Sequence, residues 1–175
     1  MIWQSYHRKL LELAKTSDLL TKSQRKACEL IHQAVVNYEQ RINLWGSPGC
    51  GKTFLGHYLH LNRDFSYFQS IETYRGSENP KINSVTIVDS APHERKQARV
   101  IFGDVSWKSD NNVILITREP INDAVRRISL SLTDEDLKQI LDTFEQILNV
   151  KIMEALDNNI QQSGIWALLE HAVVM

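Results

Sequence analysis

Apolar residues recur first at helical spacing and then in short extended runs. Trp3, Tyr6, Leu10, Leu13 and Ala14 fall on one face of a helix predicted over residues 3–15, which Ser17 and Asp18 interrupt. A second helix is predicted from Thr21, because Thr21 and Gln24 stand at capping-box spacing. Ala27, Leu30, Ile31, Ala34, Val35 and Tyr38 carry its apolar stripe. Arg41 to Trp45 reads as a short strand, followed by a helix through Phe54 to Leu59. Phe65 to Ile71 alternates as a second strand, and Glu72 to Asn83, with Gly76, Ser77, Asn79 and Pro80, reads as loop. Ser84 to Asp89 is a β-branched run ending in an acid, and Pro92 to Phe102 reads as helix. After a turn at Asn111 and Asn112, Val113 to Thr117 is the most strand-like run in the chain. Pro120 to Arg127 is predicted as a short helix opened by proline, and Ile128 to Leu132 as a fifth strand.

The remainder reads as helical. Thr133 caps a helix whose apolar face is Leu137, Ile140, Leu141, Phe144, Ile147 and Leu148. Another helix is predicted from Val150 to about Ile160, and after a break at Gly164 a last one around Trp166 to Val173. Strands alternating with helices imply a parallel sheet covered on both faces. The expectation is an α/β, three-layer αβα fold with a five-stranded parallel sheet over residues 1–132 and a small helical lid over 133–175.

Composition narrows the class. The 175 residues are 42% hydrophobic and 23% charged, as in an ordinary globular protein. No apolar run approaches the ~18 residues of a membrane span, and no signal-peptide layout opens the chain, since Glu12 breaks Leu10 to Ala14. Two cysteines, Cys28 and Cys50, are too few for a disulfide framework, so a reducing cytoplasm is expected. The net charge of −1 hides an uneven split. Residues 133–175 hold eight acids and two bases (−6), and the rest holds 18 bases and 13 acids (+5). Such a body can meet a polyanion, although solvated faces account for most charge asymmetries of this size.

The chemistry concentrates between the first strand and its helix. Gly46-Ser47-Pro48-Gly49-Cys50-Gly51-Lys52-Thr53 fits the phosphate-loop pattern G-x-x-x-x-G-K-[ST] at every fixed position. Glycines let successive N–H groups turn inward around phosphate oxygens. Lys52 suits β- and γ-phosphates, the Thr53 hydroxyl suits Mg²⁺, and the helix N-terminus favours an anion. The bland alternatives are a glycine-rich turn and a degenerate loop that no longer binds; the strand before the pattern and the helix after it argue against a chance match.

Other candidates lie further along. Asp89, at the end of an apolar strand, stands where an acid holds Mg²⁺; otherwise it caps a turn. Ser90 follows it, where many ATPases carry a glutamate that polarises water; Glu94 is one helical turn on. Thr117 and Arg118 leave a strand at the sheet's carboxyl edge, where they sense γ-phosphate or merely cap the strand. Arg126 and Arg127 either reach a neighbouring subunit's phosphate or simply favour a helix C-terminus. Arg95, Lys96 and Arg99 form a basic cluster open to nucleic acid, more simply a solvated face. The six histidines show no metal-ligand spacing, and Cys50 needs no redox role.

The order of these parts resembles an AAA+ ATPase module over roughly residues 20–165. The resemblance makes Gly46 to Thr53 the Walker A loop, Val85 to Asp89 Walker B, Val113 to Arg118 sensor 1, Arg126 or Arg127 an arginine finger, and the tail a lid. It implies ATP and Mg²⁺ as ligands, homo-oligomerisation, and a loader or adaptor role for a larger protein machine. Ser90 and a lid without arginine depart from the family and point to slow hydrolysis. Ile116-Thr117-Arg118 and Leu130 to Leu137 also resemble STAND signalling NTPases, and the chain is short for one with its own sensor or effector domain. A small-molecule P-loop kinase and a non-hydrolysing nucleotide-bound scaffold stay open as alternatives.

Overall fold

A computed structural model describes residues 19–77, 85–107 and 112–148, with pieces at 8–9, 12–13, 15, 150–152 and 172–174. The helix expected over 3–15 falls largely outside the described residues, although 8–9 and 12–13 are helical. Helix α1 (Lys22–Val36) begins at the expected cap: the Thr21 side chain accepts from the Gln24 N–H, and the Gln24 side chain accepts from the Thr21 N–H. Strand β1 (Arg41–Trp45) then leads into helix α2 (Lys52–Arg63). Next come strand β2 (Ser66–Phe68), helix α3 (Ile71–Gly76), strand β3 (Val85–Val88), helix α4 (Arg95–Trp107) and strand β4 (Asn112–Thr117). Strand β5 (Arg126–Ser129), helix α5 (Asp134–Leu148), strand β6 (Val150–Ile152) and strand β7 (Ala172–Val174) complete the described elements.

The five-stranded sheet is parallel throughout, in the order β2-β3-β4-β1-β5. Alternation along its strands builds two cores. Ile42, Leu44, Ile87, Ile114 and Ile116 pack with Ala27 and Ile31 of α1 and Leu55 and Leu59 of α2. Val88, Val113 and Leu115 face the other way, against Tyr74 of α3 and Ala98, Ile101, Phe102 and Val105 of α4. The result is the expected three-layer α/β fold, its central strands buried on both faces. Among the described residues, no helix is long and apolar enough to cross a membrane.

Several local expectations give way. Residues 72–76, expected as loop, belong to helix α3, because Ser70 caps it by accepting from the Thr73 N–H and its apolar side is anchored by buried Ile71 and Tyr74. Ile71 is therefore helical rather than the end of a strand. The helix expected over Pro120 to Arg127 is a turn running into β5. Pairing with β1 captures this segment: the Ile121 N–H donates to Asn43 Oδ1 at 2.8 Å and the Val125 N–H to Arg41 O at 2.9 Å. The fifth strand thus starts two residues early and ends at Ser129 rather than Leu132. Val150–Ile152 and Ala172–Val174 form a two-stranded antiparallel sheet where helices were expected. The rest of those two helices lies outside the described residues.

Candidate functional site

The phosphate-loop pattern sits at the carboxyl edge of the central sheet, between β1 and α2. Gly46 has no room for a side chain, since a Cβ there would lie 2.1 Å from Leu130 O. Gly51 is the N-cap of α2 at φ 87°, a left-handed conformation that side-chain-bearing residues resist. Its would-be Cβ meets Gln24 Nε2 at 2.4 Å, and that amide donates to Gly51 O at 3.3 Å. Gly49 turns the loop at φ 78°. Ser47 and Pro48 are exposed, Cys50 is buried, and Thr53 is exposed on the first turn of α2. Lys52, nearly buried, lays its ammonium across the loop and donates to Gly46 O at 2.6 Å and Ser47 O at 2.8 Å. Its Nζ is also 3.5 Å from Cys50 Sγ. Burial pushes the Cys50 thiol upward despite this nearby cation, so Cys50 behaves as a small core residue.

Asp89 follows β3 at the same edge and is buried. Its Oδ2 accepts from the Tyr67 hydroxyl at 2.7 Å and its Oδ1 from the Ser90 N–H at 2.6 Å. Burial, then the charge and hydrogen bond of Asp89, push the Tyr67 phenol upward, so it remains a donor. Ser90 adopts φ 50°, an unusual backbone for a non-glycine residue, and is exposed. Glu94 is exposed beside the start of α4.

Sheet order brings these parts together. Strand β4 lies between β1 and β3, so its tip sits between the phosphate loop and Asp89. Thr117 and Arg118 are at that tip, with different roles. The Thr117 hydroxyl accepts from Asn43 Nδ2 at 2.9 Å and donates to Glu119 O at 2.6 Å, which uses it within the fold. Arg118 is exposed. Arg126 and Arg127 sit elsewhere: in register with Ile42 and Asn43 they open β5, while the phosphate loop leaves β1 after Trp45. At ~3.3 Å per residue that sets Arg126 back from the loop's edge by about 10 Å and Arg127 by about 7 Å. Arg126 forms a two-pronged ion pair with Glu39, both contacts at 2.7 Å, which pulls the Glu39 carboxyl below its ordinary range. Arg127 is exposed. In the basic cluster, Arg95 and Arg99 both face Asp123, at 3.0 and 3.4 Å.

No group of three or more His, Cys, Asp or Glu able to hold a metal occurs among the described residues. A site built on phosphate oxygens needs no such group. Mg²⁺ in that setting takes one or two protein oxygens and keeps several waters. The buried Asp89 carboxylate, with no cationic partner among the described residues, and the Thr53 hydroxyl fit that demand. Two residues near the site escaped sequence reasoning. Tyr67 gives no local sign of reaching Asp89 across 22 positions, and Gln24 was legible as a cap but not as a contact of the phosphate loop.

No known family description and no curated protein matches the chain. Among solved structures it is similar to DnaA from Aquifex aeolicus bound to AMPPCP, with a TM-score of 0.51 and 16% identity. That match covers 86% of this chain and 62% of the DnaA chain, so this chain spans less than two thirds of that relative. A putative primosome component from Streptococcus pyogenes serotype M3 gives a TM-score of 0.40 at 16% identity, over 65% of this chain and 82% of that one. The parallel five-stranded αβα architecture is thus a fold this chain shares with DnaA.

Proposed function

We propose that this chain binds ATP with Mg²⁺ at the Gly46–Thr53 loop and acts as a slow ATPase or nucleotide switch. One observation carries the reading: the glycine-permitted loop delivers Lys52 as the first residue of α2, at the same sheet edge as the buried Asp89. The loop's N–H groups and the α2 N-terminus hold phosphate oxygens, and Lys52 exchanges its loop carbonyls for the β- and γ-phosphates. Thr53 and Asp89 hold the metal, which when bound neutralises charge on the transferring phosphate. Arg118 is the exposed polar group at the β4 tip and meets the γ-phosphate side, while Thr117 shapes that tip. Arg127 serves a neighbouring copy, since Arg126 is committed to Glu39.

Slow turnover follows from Ser90, which cannot act as the base a glutamate provides at that place. A switch of this kind serves as an oligomeric subunit, a loader or adaptor whose cycle a larger partner completes. Helix α5 opens its lid-like portion, residues 133–175. The test is equilibrium binding of a fluorescent ATP analogue together with ATP turnover. Lys52→Ala is expected to lower affinity or turnover by at least about a hundredfold, as loss of a buried charge contact to phosphate requires. Unchanged affinity and turnover in that variant overturn the reading. Tight binding without turnover selects the switch over the ATPase, and phosphoryl transfer to a nucleoside or small hydroxyl acceptor selects a kinase.

A further inference from the structure

We infer that Tyr67 is a positioning residue that fixes the Asp89 carboxylate for the metal, and that Gly56 is the helix position that lets it do so. The inference rests on the reading of this edge as a Mg²⁺–ATP site. Tyr67 lies on the edge strand β2, in register with Ile87 of β3. From there its hydroxyl donates to Asp89 Oδ2 at 2.7 Å, while the Asp89 N–H donates to Phe68 O at 2.9 Å. Backbone and side chain of Asp89 are therefore both tied to β2. With the Ser90 N–H on Oδ1, each carboxylate oxygen has one donor that sets its direction and lone-pair capacity left over.

The ring that delivers the hydroxyl has its own seat. A Cβ at Gly56 would lie 2.9 Å from Tyr67 Cε2 and 3.0 Å from Ile116 Cδ1. The Tyr67 ring therefore packs directly on the backbone of α2, three residues beyond Thr53. The His57 ring covers it at a centroid distance of 4.1 Å. Glycine inside a helix is unfavourable relative to alanine, so its presence here answers to packing. The two proposed protein donors to the metal, Thr53 and Asp89, are thus linked through one phenol: its ring touches the helix of the first and its hydroxyl the carboxylate of the second. Tyrosine is needed for the bond, and a phenylalanine keeps the ring contacts alone.

The experiment titrates Mg²⁺ into the protein with a fluorescent ATP analogue, and repeats the binding in EDTA. Thermal unfolding is recorded alongside. Tyr67→Phe is expected to keep metal-free analogue affinity and thermal stability close to wild type. It is expected to need about tenfold more Mg²⁺ for half-saturation, the scale of one hydrogen bond to a charged group. Gly56→Ala displaces the ring while retaining the hydroxyl, and is expected to shift the Mg²⁺ requirement in the same direction by severalfold. That second variant carries the test if the first unfolds. A Mg²⁺ requirement unchanged or lowered in both variants overturns the inference and leaves the nucleotide site standing. Wild-type protein that binds no nucleotide, or binds it without response to Mg²⁺, overturns the site reading and this inference with it.

Discussion

Asp136 is wholly buried yet keeps its charge, and the surroundings explain how. Burial works to raise its carboxyl, but hydrogen bonds from Ser23 and Thr133 outweigh that and hold it at about 2. Ser23 donates through Oγ at 2.5 Å and through its N–H at 3.1 Å; Thr133 donates through its N–H and Oγ, each at 2.8 Å. One carboxylate therefore caps α5 and seizes the first turn of α1, 113 positions away in sequence. The folded value lies below the ordinary 3.8, so this stabilisation is full above that pH and is lost as pH falls toward 2. A shift of this size is worth roughly 2 kcal/mol. Denaturant unfolding followed at pH 6 and pH 3 should show that Asp136→Asn costs about that much at the higher pH and about half as much at the lower. An equal cost at both pH values contradicts the account. The exposed Lys22–Glu135 pair beside it, at 3.0 Å, adds little, as solvated ion pairs do.

Elements differed in how far they could be read from their own residues. The cap of α1 was legible because Thr21 and Gln24 need only each other. The phosphate loop was legible because its glycines, lysine and threonine answer to local backbone geometry and to charge. Helix α3 was not, because the Ser70 cap stood beside a run of turn-forming residues and its anchors, Ile71 and Tyr74, gain their worth from the core of α4. Strand β5 was misplaced for a similar reason: the bonds that draw it in come from Asn43 and Arg41, some 80 positions upstream. Thr117 showed part of the same limit: its bond to Glu119 O, two residues on, is local, but nothing local reveals that Asn43, 74 positions upstream, also takes up its hydroxyl. Gln24 joins a legible role to a hidden one, and two variants separate them. Gln24→Ala removes the cap bond and the contact to Gly51 O, and is expected to cost about 1 kcal/mol of stability and to weaken nucleotide binding severalfold. Gln24→Glu can still accept from the Thr21 N–H but cannot donate to Gly51 O. It should keep thermal stability near wild type and bind the ATP analogue more weakly than Gln24→Ala, because it loses the same contact to Gly51 O and adds a negative charge beside the loop. If both variants bind as wild type does, α1 has no influence on the loop.

At the scale of the whole molecule the open question is whether one chain completes its own site. The phosphate loop, Asp89 and the β4 tip share the carboxyl edge of the sheet, while Arg126 and Arg127 open the outer strand β5, in register with Ile42 and Asn43 and set back from that edge. Within one chain the Glu39 pair holds Arg126 at that setback. Sequence could not choose between them, but their partners differ: Arg126 is locked to Glu39 by two contacts of 2.7 Å, and Arg127 is exposed. A head-to-tail assembly would carry Arg127 to the next copy's phosphates, as heterologous interfaces permit. Turnover per chain should then rise with protein concentration. Arg127→Ala should lower it by about a thousandfold, the usual scale of an arginine donated to a phosphoryl transition state, without changing stability. Arg126→Ala should instead loosen the start of β5 and lower the melting temperature. Mixing is the sharper measurement. Lys52→Ala chains cannot use nucleotide but still present Arg127, and Arg127→Ala chains retain an intact loop. Recovery of turnover when the two inactive variants are mixed places the arginine in the neighbour's site. Turnover that stays flat with concentration and is not restored by mixing means that each chain works alone. No turnover in wild-type protein at any concentration means that Ser90 governs, and that this fold holds nucleotide as a switch until a partner supplies the missing base.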